Sequence, residues 1–283
     1  MAEQTNPYAD WIGSTERLED QIWLGQVVGM AALLDDTESE FKLGGQLPPL
    51  WHWMYFLPRA PWSKIGHDGH PERGGFMPPI ELPRRMFAGS RMKFNRLLTI
   101  GEPAVRHGEV LKISEKSGSS GKLAFVTVSY KIEQNGEICI EEEQDIVYRE
   151  PGAPVPAPVP APLPDVPAGS WTNTITPDPV LLFRFSALTF NAHRIHIDRR
   201  YAMEEEGYPG LIVHGPMTAI QLADLLRLNQ ERPIASFTFR GQAPLFDLGP
   251  YRVVATPGED DTVELSAQGP NGKTTMVASA KLG

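Results

Sequence analysis

Residues 184–224 of the chain read RFSALTFNAHRIHIDRRYAMEEEGYPGLIVHGPMTAIQLAD. Three of the seven histidines lie in this stretch, namely His193, His196 and His214. Its last part, Gly215-Pro216 followed by an apolar periodic run, predicts a helix from about Pro216 to Leu228, because proline is favoured at the first helical position. The histidine loop and this helix start therefore belong to one local structure, around which the rest of the chain can be assigned.

Strand-like segments follow this helix, and similar segments fill the later part of the first half. Alternating or β-rich runs predict strands at 90–98, 110–115, 122–133, 137–148, 234–242, 249–256, 262–268 and 274–281. Asn135-Gly136 and Asn271-Gly272 each join two such runs as a hairpin turn. We also predict a helix from Ser14 to about Leu34 and a short strand from Leu181 to Phe185.

The order of these elements repeats, because a helix followed by a meander of antiparallel strands occurs twice. This repeat predicts an α+β protein with a double hot-dog fold, in which two antiparallel-sheet units each wrap around a central helix. Between the repeats, residues 151–167 contain eight prolines in seventeen positions. Proline fixes φ and lacks the amide hydrogen, so we expect an extended linker here, with a ligand for an SH3-type domain as the alternative. The predicted division is 1–150, a linker at 151–170, and 171–283.

The composition narrows the class of protein. With 41% hydrophobic and 22% charged residues, the chain can bury a core. Its net charge of −9 argues against nucleic acid or an anionic membrane as a partner. The single cysteine, Cys139, excludes internal disulfides, and it alternates with apolar residues like a packing residue. The first thirteen residues show no signal-peptide pattern, so we expect a soluble, cytoplasmic protein.

Two polar or aromatic segments of the first half have more than one interpretation. The run WHWMYFLP at 51–58 is either a core or interface strand or an apolar wall for an acyl chain. The sequence Gly-His-Asp-Gly-His at 66–70 lies in a loop rich in glycine and proline. His67, Asp68 and His70 are a candidate metal site, but further matched ligands are missing, so we expect no metal there.

The loop from Asn191 to Asp198 and the helix start at Gly215 offer complementary chemistry. His196 titrates near neutrality and can move protons in both directions, Asn191 can hold a water, and Asp198 can orient an imidazole. The helix start presents free amides, which would stabilise a thioester oxygen that becomes enolate-like, by roughly 3–4 kcal/mol per donor. A base beside such a site is what the addition of water to an α,β-unsaturated thioester requires.

The motifs also resemble a known family. FSALTFNAHRIHID at 185–198, with Tyr201-Ala202 and GLIVHGP at 210–216, resembles the hydratase motif of the MaoC-like, hot-dog-fold hydratases and dehydratases. It is most similar to the branch of type 2 hydroxyacyl-thioester dehydratases and 3-methylfumaryl-CoA (mesaconyl-CoA) hydratases. The segments PPLWHWMYFLP and GGFMPPIELPRRMFAGSRMKF of the first half resemble that branch as well. The resemblance implies a degenerate N-terminal hot-dog domain and a catalytic C-terminal one.

The resemblance implies roles for individual residues. His196 takes the place of the catalytic histidine, and the amide of Gly215 that of an oxyanion-hole donor. Asn191 stands where many members have a catalytic aspartate, and since an amide cannot accept a proton, His196 would act as the base while Asn191 orients the water. The predicted substrate-binding residues are Arg194, His193, His214 and Trp53.

The expected activity is that of a hydratase or dehydratase acting on an acyl-CoA, most directly 3-methylfumaryl-CoA giving citramalyl-CoA. It would need no metal and no redox cofactor, with coenzyme A only as part of the substrate. Arginines that could bind the phosphates or a carboxylate, or simply be exposed, are Arg84, Arg85, Arg194, Arg199 and Arg200. The alternatives are a 3-hydroxyacyl-carrier-protein dehydratase of fatty acid synthesis, a hot-dog thioesterase, and a non-catalytic acyl-CoA-binding subunit. A homodimer is also expected.

Overall fold

The computed structural model describes residues 7–118 and 121–283, which contain ten strands. The strands are β1 (Thr15–Gln21), β2 (Arg84–Phe94), β3 (Pro103–Gly118), β4 (Gly121–Gln134), β5 (Glu137–Arg149), β6 (Trp171–Ile175), β7 (Ile234–Gly241), β8 (Tyr251–Pro257), β9 (Thr262–Gln268) and β10 (Thr274–Leu282). They form one antiparallel sheet in the order β1-β3-β4-β5-β2-β7-β10-β9-β8-β6. The halves join where Gly89 to Lys93 of β2 pair with Arg240 to Ser236 of β7.

The described residues also contain three α-helices, one of which packs on the sheet along its length. They are α1 (Leu24–Leu33), α2 (Pro179–Leu188) and α3 (Gly215–Asn229). Helix α3 packs on β2 and on β6 to β10, and ten of its fifteen residues are buried. Helix α1 packs mainly on α2 and on the 3-10 turn Trp51–Met54. The predicted α+β double hot-dog fold is confirmed.

Helix α3 is surrounded by protein on most sides, and its sequence suits that position. Apolar or small residues occupy most of its length, as expected for a helix without a solvent face. Buried polar side chains of the helix have partners: Tyr251 donates to Gln221, and Asp224 Oδ1 accepts from Arg227 at 2.9 Å, although Asp224 Oδ2 accepts no hydrogen bond from the described residues. Paired polar groups make this burial tolerable, so the helix holds its N-terminus in a fixed place.

The predicted helix from Ser14 to Leu34 is wrong in its first part. Residues Thr15–Gln21 form strand β1, which pairs with β3, and the helix begins only at Leu24. The segment contains good helix formers, but its side chains alternate between exposed and half-buried positions, as on an edge strand. Pairing with β3 outweighs the local helix propensity.

The predicted strand from Leu181 to Phe185 is also wrong, because these residues lie in helix α2. The Asp178 side chain accepts a hydrogen bond from Leu181 N at 2.7 Å, and Pro179 occupies the first turn. A short apolar run is compatible with either structure, and the Asp-Pro cap was the distinguishing signal. The run at 51–58 is buried core at Trp51, but it contains a 3-10 turn instead of a strand.

The turns and the proline-rich segment agree more closely with the predictions made from the sequence. Asn135 and Gly136 have φ of 55° and 77°, as a type I′ hairpin requires, and they join β4 to β5. Residues 150–167 form no helix or strand, and they run along the second half, where Val155 N bonds Gly207 O at 2.9 Å. The division at 150 and 170 stays a prediction. No helix in the described ranges is long and apolar enough to cross a membrane.

Candidate active site

Four histidine rings lie in a row at the junction of the two halves. The His214 and His196 rings stack with centroids 3.7 Å apart and planes 20° apart. His196 meets His193 at 5.5 Å, and His193 meets His70 at 4.1 Å. The structure thus brings together the three histidines of the 184–224 stretch and adds His70 from the first half, which the sequence placed in a loop as one of three candidate metal ligands.

Local structure holds the two ends of the histidine loop. His193 precedes the 3-10 turn Arg194–His196, and its amide donates to Asn191 Oδ1 at 3.0 Å. Asn191 N in turn bonds Ser186 O at the end of α2, at 2.8 Å. The side-chain oxygen of Asn191 therefore stabilises the loop, as asparagine often does at turns.

His196 is held in one tautomer. Its Nδ1 lies 2.7 Å from the carbonyl oxygen of Ile212, and since a carbonyl can only accept, Nδ1 carries the proton. Nε2 is then an unprotonated acceptor. Burial, together with the neighbouring His193 charge, lowers the pKa of His196 to about 3, so the ring is neutral at physiological pH. A neutral imidazole with a free Nε2 has the lone pair that a general base uses to accept a proton.

His214 lies behind His196 and has no exposed surface. Its Nε2 is 2.9 Å from Ser186 Oγ, and burial lowers its pKa well below the usual value. The ring therefore forms a neutral platform for His196. We predicted from the sequence that His214 contacts the substrate, but in the structure the His196 ring covers it.

Helix α3 begins at Gly215, immediately after His214. A Cβ built at Gly215 would meet only Met276 Cε and Phe87 O, each at 4.0 Å, which is ordinary contact. The surrounding protein therefore does not itself require glycine at this position. The amides of the first turn and their partial positive charge are available for a ligand oxygen.

An aromatic cluster lies close to this helix start. Trp53, Phe87 and Phe239 make edge-to-face contacts with ring centroids 5.4 to 5.9 Å apart. Trp53 Nε1 also donates to Glu142 Oε1 at 3.1 Å, which fixes the indole in the cluster. Because the carbonyl of Phe87 faces Gly215, Trp53 is placed in an apolar wall beside the helix start.

Arg194 and Asp198 bind each other at 2.8 Å. The Arg194 guanidinium also lies 4.2 Å from the centre of the Tyr201 ring, and Asp198 Oδ1 accepts from Tyr201 N at 3.0 Å. The expectation that Asp198 orients an imidazole is therefore wrong, because its oxygens bind the arginine and this amide. Arg194 thus stabilises the loop through Asp198 and Tyr201.

A loop of the first half is pressed against the histidine loop at Gly69. Gly69 has φ of +91°, and a Cβ there would lie 1.9 Å from the carbonyl oxygen of Ala192. Asp68 O accepts a hydrogen bond from Arg194 N at 2.9 Å. Only glycine permits so close an approach with this backbone conformation, so the two loops form one unit.

Asp68 and His70 form a close pair within that loop, with Asp68 Oδ2 and His70 Nδ1 3.0 Å apart. Burial alone would raise the pKa of Asp68, but the bond to His70 and its charge outweigh this and lower it. Asp68, His70 and His193 each offer an atom within 4.8 Å of the others, a spacing that could hold a metal ion. His67 lies apart from them and bonds Glu205 at 2.6 Å.

Comparisons with known proteins agree with this architecture. The family model for hydroxyacyl-thioester dehydratase type 2 matches residues 50–247. The mesaconyl-C(4)-CoA hydratase of Chloroflexus aurantiacus is 59% identical over 96% of this chain and 97% of its own length. The mitochondrial hydroxyacyl-thioester dehydratase type 2 of Schizosaccharomyces pombe is 28% identical over 73% and 77%. A MaoC-like dehydratase structure from Phytophthora capsici superposes with a TM-score of 0.69 at 15% identity, covering 97% of both chains.

Proposed function

The chain belongs to the hydroxyacyl-thioester dehydratase type 2 family and is a hydro-lyase, and on that premise we propose that it hydrates 3-methylfumaryl-CoA (mesaconyl-CoA) to citramalyl-CoA. The relative with 59% identity over nearly the full length of both chains supports this acyl group. The central structural observation in its favour is the neutral His196, with Nε2 free, beside the helix start at Gly215.

The proposed reaction uses these two features together. Nε2 of His196 takes a proton from water as the water oxygen bonds to the β carbon of the substrate. The π electrons move toward the thioester oxygen, where the amides at the start of α3 stabilise the negative charge. The α carbon is then protonated. The addition of water involves no net oxidation or reduction, so the proposal includes no redox cofactor, and coenzyme A enters only as part of the substrate.

Arginine pairing supports an anionic acyl group. Of the five arginines considered from the sequence, four have acidic partners, which are Glu206 for Arg84, Asp198 for Arg194, Asp247 for Arg199 and Glu204 for Arg200. The Arg85 side chain has no hydrogen bond or ion pair among the described residues, and the residue is half-buried on β2. It lies two residues before Phe87 and so shares a face of the strand with it. We assign Arg85 to the substrate carboxylate.

An assay with a panel of thioesters tests the proposal. Purified protein should hydrate 3-methylfumaryl-CoA faster than unbranched enoyl-CoAs and faster than carrier-protein thioesters, and a chelator should not reduce the rate. A preference for carrier-protein thioesters would indicate a fatty acid synthesis dehydratase. Release of free thiol would indicate a thioesterase, and binding without turnover a non-catalytic subunit. A cytoplasmic location, the absence of nucleic-acid partners and a homodimer stay predictions.

A further inference from the structure

With Asn191 in the histidine loop, the site has His196 as its one assigned proton-transfer group for a reaction that requires two proton transfers. Water must lose a proton, and the α carbon must gain one. His196 can accept the first proton, but the amide of Asn191 can neither accept nor release one at ordinary pH. A second titratable group near His196 would complete the site.

The row of rings provides such a group in His70. A carboxylate can only accept, so the contact between Asp68 Oδ2 and His70 Nδ1 places a proton on Nδ1 and leaves Nε2 to exchange protons. His70 is half-buried, whereas His193 and His196 are buried, so His70 is the most accessible residue of these three.

His70 also differs from its neighbours in electrostatics. Among His70, His193 and His196, it is the ring with a carboxylate partner, so one extra proton shared by the three rings is best placed on His70. That charge in turn lowers the pKa values of His193 and His196, after burial as the larger cause. An acid and a base with separated proton affinities follow from this arrangement.

Other charged groups that face His70 oppose its protonation. Burial is the largest cause that lowers the His70 pKa, and the positive charges of Arg85 on β2 and Arg73 in its own segment add to it. The Asp68 hydrogen bond and charge act in the opposite direction. Asp68 is therefore the group that keeps an imidazolium on His70 accessible.

We propose that Asp68 and His70, from the first half of the chain, form the general-acid pair of the site, a role that the amide of Asn191 cannot take. This assignment rests on the hydratase function proposed above. The rigid contact between Gly69 and Ala192 holds the pair against the histidine loop, and the His70 ring touches His193 at 4.1 Å.

The proton balance of the step is complete. His196 takes a proton from water, the water oxygen bonds to the β carbon, and the enolate forms at the thioester. The α carbon then forms its C–H bond with the proton from His70 Nε2, which becomes neutral beside ionised Asp68. His193 lies between His70 and His196, and it can return the proton from His196 to His70 directly or through water. One water is added, and the protein ends with the protons it began with.

The test compares His70→Gln with His67→Gln. His67 is a matched control, because it lies in the same loop but is exposed and bound to Glu205. Loss of a general acid should lower kcat of His70→Gln by about 10²- to 10⁴-fold, with KM nearly unchanged. His67→Gln should keep the wild-type kcat. Circular dichroism and melting temperature establish that both variants are folded.

Two further variants separate an acid from a structural residue. Hydration needs protonated His70, so kcat should fall as pH rises through the His70 pKa, and Asp68→Asn should move this fall to lower pH. Asn191→Asp added to His70→Gln should restore part of kcat, because it places a titratable carboxylate in the histidine loop, where the side-chain oxygen at position 191 lies against His193 N.

The results separate the two proposals. Wild-type protein that turns over no enoyl thioester would overturn the proposed function itself. Active wild type with a His70→Gln kcat within about threefold of it would overturn only the general-acid role. The same role would be overturned if neither the Asp68→Asn pH profile nor the Asn191→Asp rescue differed from the starting protein.

Discussion

The two halves of the sheet carry helices that differ in what their N-termini meet. Helix α3 begins at Gly215 beside stacked imidazoles and is buried along most of its length. Helix α1 begins after Trp23, which is 53% exposed, and it packs on α2. Among the described residues, α3 is the helix that begins beside the stacked histidine rings. We therefore expect the repeated architecture to supply one oxyanion site, not two.

The loops of the two halves are more alike than the helices. Each presents an imidazole whose Nδ1 is fixed by an oxygen, which is Asp68 Oδ2 for His70 and Ile212 O for His196. The carboxylate favours a charged ring, and the carbonyl a neutral one. The first half therefore contributes a proton-transfer group through its loop, even though its helix contributes no group to the site. Substitutions in either half can test this difference.

The largest expected effect removes the base of the second half. His196→Gln keeps a polar side chain but cannot take a proton from water, so kcat should fall by about 10²- to 10⁴-fold. Steady-state hydration of 3-methylfumaryl-CoA measures it. His107→Gln, at an exposed position on β3, should leave kcat unchanged. A wild-type kcat in the His196→Gln enzyme would mean that another residue is the base.

The next effect contrasts the glycines of the two halves. Gly69→Ala places a methyl group against the Ala192 carbonyl in a left-handed conformation, and it should cost about 1–3 kcal/mol of unfolding free energy or more. Gly215→Ala meets only ordinary contacts, so stability should change by less than about 1 kcal/mol. Activity should fall in both variants. The methyl group of Gly69→Ala displaces the histidine loop at Ala192, and the methyl group of Gly215→Ala occupies space beside the amides at the start of α3. Urea denaturation beside kinetics distinguishes them.

Equal losses of stability in the two variants would contradict this contrast. It would mean that Gly215 is required by the fold, as Gly69 is. Unchanged kcat and KM in the Gly215→Ala enzyme would instead mean that the thioester does not bind at the start of α3.

Part of this comparison was accessible from the sequence, and the reason lies in the range of the interactions. The start of α3 and the positions of His193 and His196 follow from local motifs, as do the hairpins at Asn135-Gly136 and Asn271-Gly272. These features depend on neighbours within a few residues. Strand β1 could not be predicted in the same way, because its pairing partner β3 lies some ninety residues further along.

The position of His70 beside the histidine loop also could not be predicted from the sequence. His67 and His70 are equivalent there, both in a glycine-rich loop with Asp68 between them. Only the close contact of Gly69 with Ala192, 123 positions away, directs His70 to the histidine row and His67 to Glu205. A contact of this kind has no local signature.

The buried histidines predict a loss of stability in acid. The pKa values of His193 and His196 fall from 6.5 to about 3 on folding, so the unfolded chain binds more protons below pH 6.5. The contribution of these two histidines to the unfolding free energy should be complete above that pH and should decrease steadily as the pH falls toward 3. The lowered pKa of Glu142 adds a further loss below its usual value of 4.5. Urea denaturation at several pH values measures the slope.

His193→Gln removes one of these groups and should make the slope between about pH 6.5 and pH 5 shallower. Exposed His107 provides the comparison, because His107→Gln should leave the slope unchanged. An unchanged slope in His193→Gln would mean that the pKa of this ring does not differ between the folded and the unfolded chain.

The smallest effect concerns the substrate anion. Replacing Arg85 by glutamine removes a charge-assisted hydrogen bond of about 1.5–3 kcal/mol, so KM for 3-methylfumaryl-CoA should rise roughly 10- to 100-fold. KM for an enoyl-CoA without the second carboxylate should not change. A rise for both thioesters would place Arg85 on the coenzyme A phosphates instead. Arg200→Gln, at an exposed arginine bound to Glu204, is the control. Because Arg85 lies on the first half, a rise limited to the dicarboxylic substrate would make that half the determinant of specificity, while the second half holds the thioester.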